Sequence, residues 1–394
     1  MRTPPQSFVD ILVLGGGIAG ATVAAHLAGE RKVALLEREP LLAYHATGRS
    51  SAMFIPTYGG AAVRPLAAAS EDFLRAPPWG FGGSLLHPRP VMHIARADQI
   101  QRLAAFREEA GAAAALELLD RQQARALAPI LWPEAVDAVV LEHNAADIDV
   151  ARLHAGYLRM AREGGAIIAA DLGDLRLERR AGLWRATAAG ACFCAPVVVN
   201  ATGAWADQTA IQAGLAPLRL SPYQRTVVIV DAPKTPDFCR CPVVKDIDER
   251  FYFRPYSGQL LITPADEEAC PACDAVPDPL DVACAMFRFA AAADHSTRII
   301  RRRWAGLRTF APDRAPVIGW SEEAPGFFWL AGLGGFGIQT SPAVGRIAAA
   351  MLLERNSSAE VTACDGSRVS YSPSRSFPPA GSKAIAGGVH ASCA

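Results

Sequence analysis

The stretch FVDILVLGGGIAGATVAAHLA at residues 8–28, followed by KVALLE at 32–37, carries the decisive pattern of the chain. Phe8 to Leu14 is a short aliphatic run, as a strand buried on both faces requires. Glycines follow at positions 15, 17 and 20. Gly15 permits a tight turn out of the strand, Gly17 lets backbone approach a pyrophosphate, and Gly20 allows close helix–strand packing. Ile18 and Ala19 complete the loop. Ala21 to Ala28 then reads as a helix whose N-terminal amides and dipole favour phosphate oxygens. Lys32 to Glu37 is a second buried strand, ending on a carboxylate placed to accept from a ribose hydroxyl. A glycine triplet alone fits a mere tight turn. Strand, loop, helix, strand and acid in this order specify a dinucleotide site, without choosing between NAD and FAD.

Working outward, the 394 residues are 51% hydrophobic, with 39 acids against 39 bases. That length suits two or so domains with ample core. The balanced charge argues against a nucleic-acid partner, and Arg301 to Arg303 reads as a solvated strand edge. No apolar stretch reaches the roughly 18–20 residues of a membrane span, and the N-terminus lacks the pattern of a signal peptide. The expectation is a soluble, cytoplasmic protein with its nine cysteines reduced. Cys239 with Cys241 and Cys270 with Cys273 invite a zinc reading. Reduced loop thiols are favoured over it, because one pair is too closely spaced and the chemistry needs no metal.

Later segments resume the first sheet. Ala151 to Glu163 is an amphipathic helix and Ala166 to Ala169 a strand. Leu175 to Thr187 reads as a hairpin, and Pro196 to Asn200 as a buried strand. Phe327 to Ala331 is another strand, before a glycine-rich turn and a helix at Ser341 to Glu354. Residues 76–142 and 218–304 differ in texture, with alternating strands such as Arg225 to Val230 and Phe251 to Arg254. The expected organisation is an FAD-binding domain of 1–75, 143–217 and 305–355, a substrate domain of 76–142 and 218–304, and a poorly ordered tail at 356–394.

Three returns of the chain favour FAD. The polar, small-residue segment from Tyr44 through Thr47, Arg49, Ser50 and Ser51 to Ala52 can run beside a long cofactor. Ala201, Thr202, Gly203 and Trp205 follow a buried strand where the adenine end should lie. Gly334, Gly335, Phe336, Gly337, Ile338, Gln339 and Thr340 open the last helix, whose amides suit the negative edge of a reduced flavin. An NAD enzyme needs none of these. Arg38, Asp174 and Gly306 complete the expected cofactor-binding set.

On these motifs the chain resembles the D-amino-acid oxidase superfamily of glutathione-reductase-type flavoproteins, over nearly its whole length to about residue 355. The closer resemblance is to the bacterial D-arginine dehydrogenase group. It is carried by Tyr44 to Ser50, Pro88 to Pro90, Ala146 to Asp149, Trp304 to Phe310 and Gly334 to Thr340. The resemblance implies an α/β (α+β) fold, a Rossmann-type FAD-binding domain with an inserted, mainly antiparallel substrate domain. It implies non-covalent FAD, since no cysteine lies between Cys284 and Cys364 to tether a flavin near the C-terminal glycine turn. It also implies oxidation of an amino acid by hydride transfer to flavin, giving an imino acid that hydrolyses to a 2-oxo acid and ammonia. An electron acceptor, oxygen or a quinone, is then required.

By the same resemblance, Arg225 and Arg308 match two carboxylate-binding arginines, Tyr252 a hydrogen-bonding tyrosine, and Tyr58 a tyrosine on a mobile loop. A planar guanidinium suits bidentate carboxylate recognition. Two positions depart from the arginine-oxidising members, which have a histidine where this chain has Met53 and a glutamate where it has Val91. Phe336 replaces a tyrosine. A valine cannot pair with a guanidinium, and burying a cation against it is costly. A neutral or apolar D-amino acid, or a cyclic imino acid, is therefore the expected substrate. Oxidation of a secondary amine or 2-hydroxy acid, or a pathway flavoprotein without this activity, are the alternatives.

Overall fold

In the computed structural model, residues 6–111, 114–188, 190–294, 299–354, 360–362 and 368–378 are described. The aliphatic run after Asp10 forms strand Ile11–Leu14, all of it buried. It is the centre of a six-stranded sheet that positions the glycine loop. Its neighbours are Val33–Leu36 on one side and Val197–Asn200 on the other, both parallel to it. Ile167–Ala169 extends one edge and Phe327–Ala331 the other, again in parallel, and Val317–Trp320 closes the sheet antiparallel. The expected strand from Phe8 divides. Gln6–Phe8 belongs to a separate four-stranded sheet, pairing with Ala191–Ala195. That sheet contains the expected hairpin, observed as Arg176–Arg180 and Leu183–Ala188.

Helix Ile18–Leu27 lies on this sheet and buries nearly all its residues, because its alanines and glycine leave little bulk on any face. It packs between helices Val150–Glu163 and Gly337–Leu352. The last contact is close: a Cβ at Gly345 would overlap the Thr22 hydroxyl. Helix Gly337–Leu352 begins one turn before the Ser341 expected from sequence, inside the glycine-rich segment. Pro342 is tolerated because the Ser341 hydroxyl donates to the Ile338 carbonyl at 3.0 Å, replacing the bond that proline cannot make.

His26 sits in this helix layer with an unpartnered Nε2, and burial first, then Arg346, lowers its pKa to about 4. The folded chain thus refuses a proton that the unfolded chain accepts below about 6.5. Stability is therefore expected to fall as pH drops from about 6.5 to about 4, by up to ~3 kcal/mol from this group. Denaturation midpoints measured across that range should drop less steeply in His26→Gln.

The second large sheet has nine strands. Its spine is the long antiparallel pair Ser221–Asp231 and Ile300–Phe310. Gln259–Thr263, Tyr252–Tyr256 and Val243–Asp246 follow outward. Val243–Asp246 then pairs in parallel with Val91–Ala95, and Ala138–Glu142 and Leu116–Leu119 continue beyond it. The sheet is mainly antiparallel, as expected, with that one parallel junction joining the two chain segments. Strand Ile300–Phe310 runs through the boundary expected at residue 305.

Three short strands, Met53–Phe54, Leu86–Pro88 and Ala146–Ile148, lie between the large sheets. Asp147 here receives Arg89 Nε at 3.0 Å and pairs with Arg254. This bridge ties the Pro88–Pro90 and Ala146–Asp149 segments to the nine-stranded sheet through Arg254.

Part of the tail expected to be poorly ordered is anchored. The Tyr371 hydroxyl donates to the Ala62 carbonyl at 2.8 Å, and Arg375 makes a two-pronged pair with Asp313 at 2.6 and 2.9 Å. The composition of that segment concealed a buried tyrosine and a paired arginine. The remainder of the tail, 356–359, 363–367 and 379–394, lies outside the described residues. Among the described residues no helix is long and apolar enough to cross a membrane.

Candidate active site

One cavity of about 560 Å³ extends from the glycine loop to the nine-stranded sheet, a size suited to a cofactor with its substrate. Its first end is built by the strand–loop–helix turn. Gly15 has φ +102°, and a Cβ there would collide with the Ala201 carbonyl oxygen. A Cβ at Gly20 would overlap the carbonyl oxygen of Gly15. Both positions therefore admit only glycine without a backbone shift. The Ile18 amide donates to Thr47 Oγ1 at 2.9 Å, tying the loop to the Tyr44–Ala52 segment.

Glu37 does more than the sequence suggested. One carboxylate oxygen accepts from the Gly16 amide at 2.7 Å and the other from the Glu39 amide at 2.9 Å. It holds the loop's shape while still lining the cavity. Beside it, Arg38 lies over the Trp205 ring at 5.5 Å and within 3.3 Å of Asp174. His45 packs on the same tryptophan, with ring centroids 4.5 Å apart. These flat groups shape a slot for an adenine-like ring.

Of the residues expected to hold the cofactor, Gly20, Phe336 and Thr340 do not line the cavity. Gly20 acts through packing alone. Phe336 is buried behind the wall against Tyr58 and Phe310, and the Thr340 hydroxyl is spent on the Phe336 carbonyl at 2.9 Å. For these two the correction has one cause: the last helix starts at Gly337, which turns their side chains into the core. Gly335, Gly337, Ile338 and Gln339 do reach the cavity. The Gln339 side-chain oxygen accepts from the Ile55 amide at 3.1 Å, and its buried Nε2 has no partner. An orphaned donor beside a helix N-terminus fits an acceptor edge of a bound ring.

At the far end the chain gathers Arg225, Arg308, Tyr252, Tyr58, Met53 and Val91, all of which line the same cavity. The register explains the arginines. Arg225 lies opposite Gly306, and Tyr223 opposite Arg308, so both guanidiniums project from one face of the long strand pair. Arg308 Nη1 donates to the Tyr58 hydroxyl at 3.2 Å. Arg225 has a buried Nε without a hydrogen-bond partner, and its nearest carboxylate, Asp266, lies 3.9 Å away. Asp266 already accepts the Thr226 amide, at 2.7 and 2.9 Å. Burial, and then repulsion from Arg308, lowers the Arg225 pKa. Two guanidiniums facing one cavity, one of them with a buried unpaired Nε, make a site for a carboxylate. Tyr252 shares a hydrogen bond of 2.8 Å with Ser51, and both residues line the cavity.

Two lining residues were not anticipated. Lys245 and Glu249 flank the turn between Val243–Asp246 and Tyr252–Tyr256, and their side chains meet at 2.5 Å. Glu249 adopts φ +59°, and its amide donates to the Asp246 carbonyl at 2.9 Å. The Lys245 ammonium lies 4.8 Å from the centre of the Tyr58 ring. Burial works against the charge of both partners, but their mutual attraction raises the Lys245 pKa and lowers that of Glu249. The signal available in sequence was the placement of Lys245 opposite Tyr252 across a hairpin, which required the register to be known.

Met53, Ile55, Val91 and Val243 form an apolar wall beside these charges. No cysteine lines the cavity among the described residues, and Cys239, Cys241, Cys270 and Cys273 are not gathered into a metal-holding group.

The family model described as DAO, FAD dependent oxidoreductase, matches residues 10–351. Glycine oxidase of Geobacillus kaustophilus is 26% identical over 387 residues, 89% of this chain and 94% of the relative. The anaerobic glycerol-3-phosphate dehydrogenase of Escherichia coli has one component that is 30% identical over 259 residues. The match takes in 59% of this chain and only 44% of that component's length. Among solved structures, the same glycine oxidase superposes with a TM-score of 0.79 at 23% identity, covering 94% of this chain and all of its own. L-proline dehydrogenase from P. horikoshii superposes at 0.78 with 22% identity, covering 90% and 95%.

Proposed function

The chain belongs to the DAO family of FAD-dependent oxidoreductases, and from that premise we propose that it oxidises the Cα–N bond of an amino acid. The product is an imino acid, which water converts to a 2-oxo acid and ammonia. A D-amino acid with a neutral or apolar side chain is the donor, in preference to arginine or lysine. The carrying observation is the pair Arg225 and Arg308, which line the cavity from one strand face, Arg225 with a buried Nε that has no hydrogen-bond partner. They would receive the substrate carboxylate and so orient Cα. The bound FAD supplies the acceptor for the two electrons and the hydrogen leaving Cα. Gly15, Gly20 and Glu37 hold the pyrophosphate end of its cradle, and Gln339 with the amides near Gly337 the other.

The side-chain preference rests on Val91, Met53, Ile55 and Val243, an apolar wall without a free acid. Lys245 strengthens it, since its ammonium repels a cationic side chain. The preference for the D-enantiomer rests on the sequence resemblance. Anaerobic mixing of the holoenzyme with single D- and L-amino acids tests the reading. D-leucine, D-methionine or D-proline should bleach the flavin band, and bleaching by no amino acid would overturn it. Comparing D-lactate with D-alanine separates oxidation of a hydroxy acid from that of an amine. Replacing Lys245 with methionine should leave Glu249 free to receive a guanidinium. The kcat/KM for D-arginine relative to D-leucine is expected to rise about tenfold, measured by steady-state assay of both substrates.

A further inference from the structure

Cys270 and Cys273 play no part in the chemistry above, yet the fold places them against the cofactor wall. Strand Glu268–Ala269 pairs with Tyr223 and Gln224, and the Cys270 amide then donates to the Pro222 carbonyl at 3.0 Å. This fixes one end of the segment. The chain bends at residues 272 and 273, which sets the Cys273 thiol beside that of Cys270. Cys270 is half-buried against the cluster of Ala275, Ala305 and Leu307, whereas Cys273 is exposed. The next residue is Asp274. Its carboxylate takes the Tyr44 hydroxyl at 3.0 Å and pairs with the Arg49 guanidinium. Arg49 also donates to the Ala275 carbonyl at 3.0 Å. Tyr44, Arg49 and Leu307 all line the cofactor cavity.

We propose that Cys270 and Cys273 form a reversible disulfide by exchange with a small-molecule disulfide, and that closing it tightens the hold on FAD. The exposed Cys273 is the thiol that a reagent can reach. Its thiolate attacks one sulfur of the small disulfide, expelling one small thiol and leaving a mixed disulfide. Cys270, two residues away across the bend, attacks the Cys273 sulfur and expels the second small thiol. Two protein thiols and one small disulfide thus become one protein disulfide and two small thiols, with two electrons passing from protein to reagent. The two-residue spacing closes a small ring with no long search for the partner. Closure removes freedom from the loop carrying Asp274, so less order remains to be imposed when Arg49 and Tyr44 close over the cofactor.

The test equilibrates the holoenzyme in buffers spanning ratios of oxidised to reduced glutathione. Free thiols are then alkylated and the peptide containing both cysteines is weighed, while the FAD dissociation constant is read from flavin fluorescence. The expected result is a peptide lighter by two hydrogens in the oxidising buffers, with FAD held about threefold more tightly. Cys273→Ser should show the weaker FAD affinity at every ratio. Alkylation of both cysteines across the whole series would overturn the proposal, as would a disulfide that leaves FAD affinity unchanged. Neither readout depends on the amino-acid substrate.

Discussion

Arg308→Met is expected to lower kcat/KM for the true substrate by about 100- to 1,000-fold, or ~2.7–4 kcal/mol of binding to the reacting state. Arg308 lines the cavity, its guanidinium held between the Gly335 backbone and the Tyr58 hydroxyl. A methionine matches its stem but supplies neither charge nor donors, so a carboxylate brought there would lose water without replacement. Arg308→Lys should recover only part of the loss, because an ammonium keeps the charge and lacks the planar fork. Arg225→Met should cost less, since Asp266 already offsets part of that charge at 3.9 Å. Stopped-flow reduction of the flavin at several substrate concentrations measures all three variants. An unchanged rate in Arg308→Met would mean that the carboxylate lies elsewhere.

Gly20→Val is expected to yield a protein purified without flavin, with FAD affinity reduced more than about 100-fold. The first atom of any side chain at position 20 overlaps the carbonyl oxygen of Gly15, which is backbone and cannot rotate away. Gly15 is itself confined by φ +102° and by the Ala201 carbonyl. The strain must therefore move the loop, and with it the Gly16 amide that Glu37 holds at 2.7 Å. Because Glu37 also lines the cavity, moving the loop disturbs the cofactor wall as well. The flavin-to-protein absorbance ratio and FAD titration check this. Retention of stoichiometric flavin would remove the glycine loop from the cofactor site.

The strand–loop–helix–strand unit was legible because its parts lie within thirty residues and each has a local reason. Aliphatic runs need burial, and glycines at fixed spacing need close approach. The glycine-rich turn near residue 335 was also legible, although its helix was placed a turn late. Glycine and proline read as breakers, yet the Ser341 hydroxyl and buried packing sustain the helix through them. Composition likewise concealed Tyr371 and Arg375, whose partners lie at Ala62 and Asp313, far back in the chain.

The site beyond the flavin is different in kind. Arg225 and Arg308 could be named from motifs, but their common face follows from one register between strands some eighty residues apart. Lys245 and Glu249 carried no motif at all. They enter the cavity because Val243–Asp246 pairs in parallel with Val91–Ala95, a junction of segments about 150 residues apart. Side chains on a strand alternate faces, so a shift of one residue in that pairing would turn Lys245 away and present its neighbour. Cofactor recognition was readable from residues alone because it depends on backbone shape set by near neighbours. The charges facing the substrate had to await the fold, because they depend on which distant strands lie side by side and in what register.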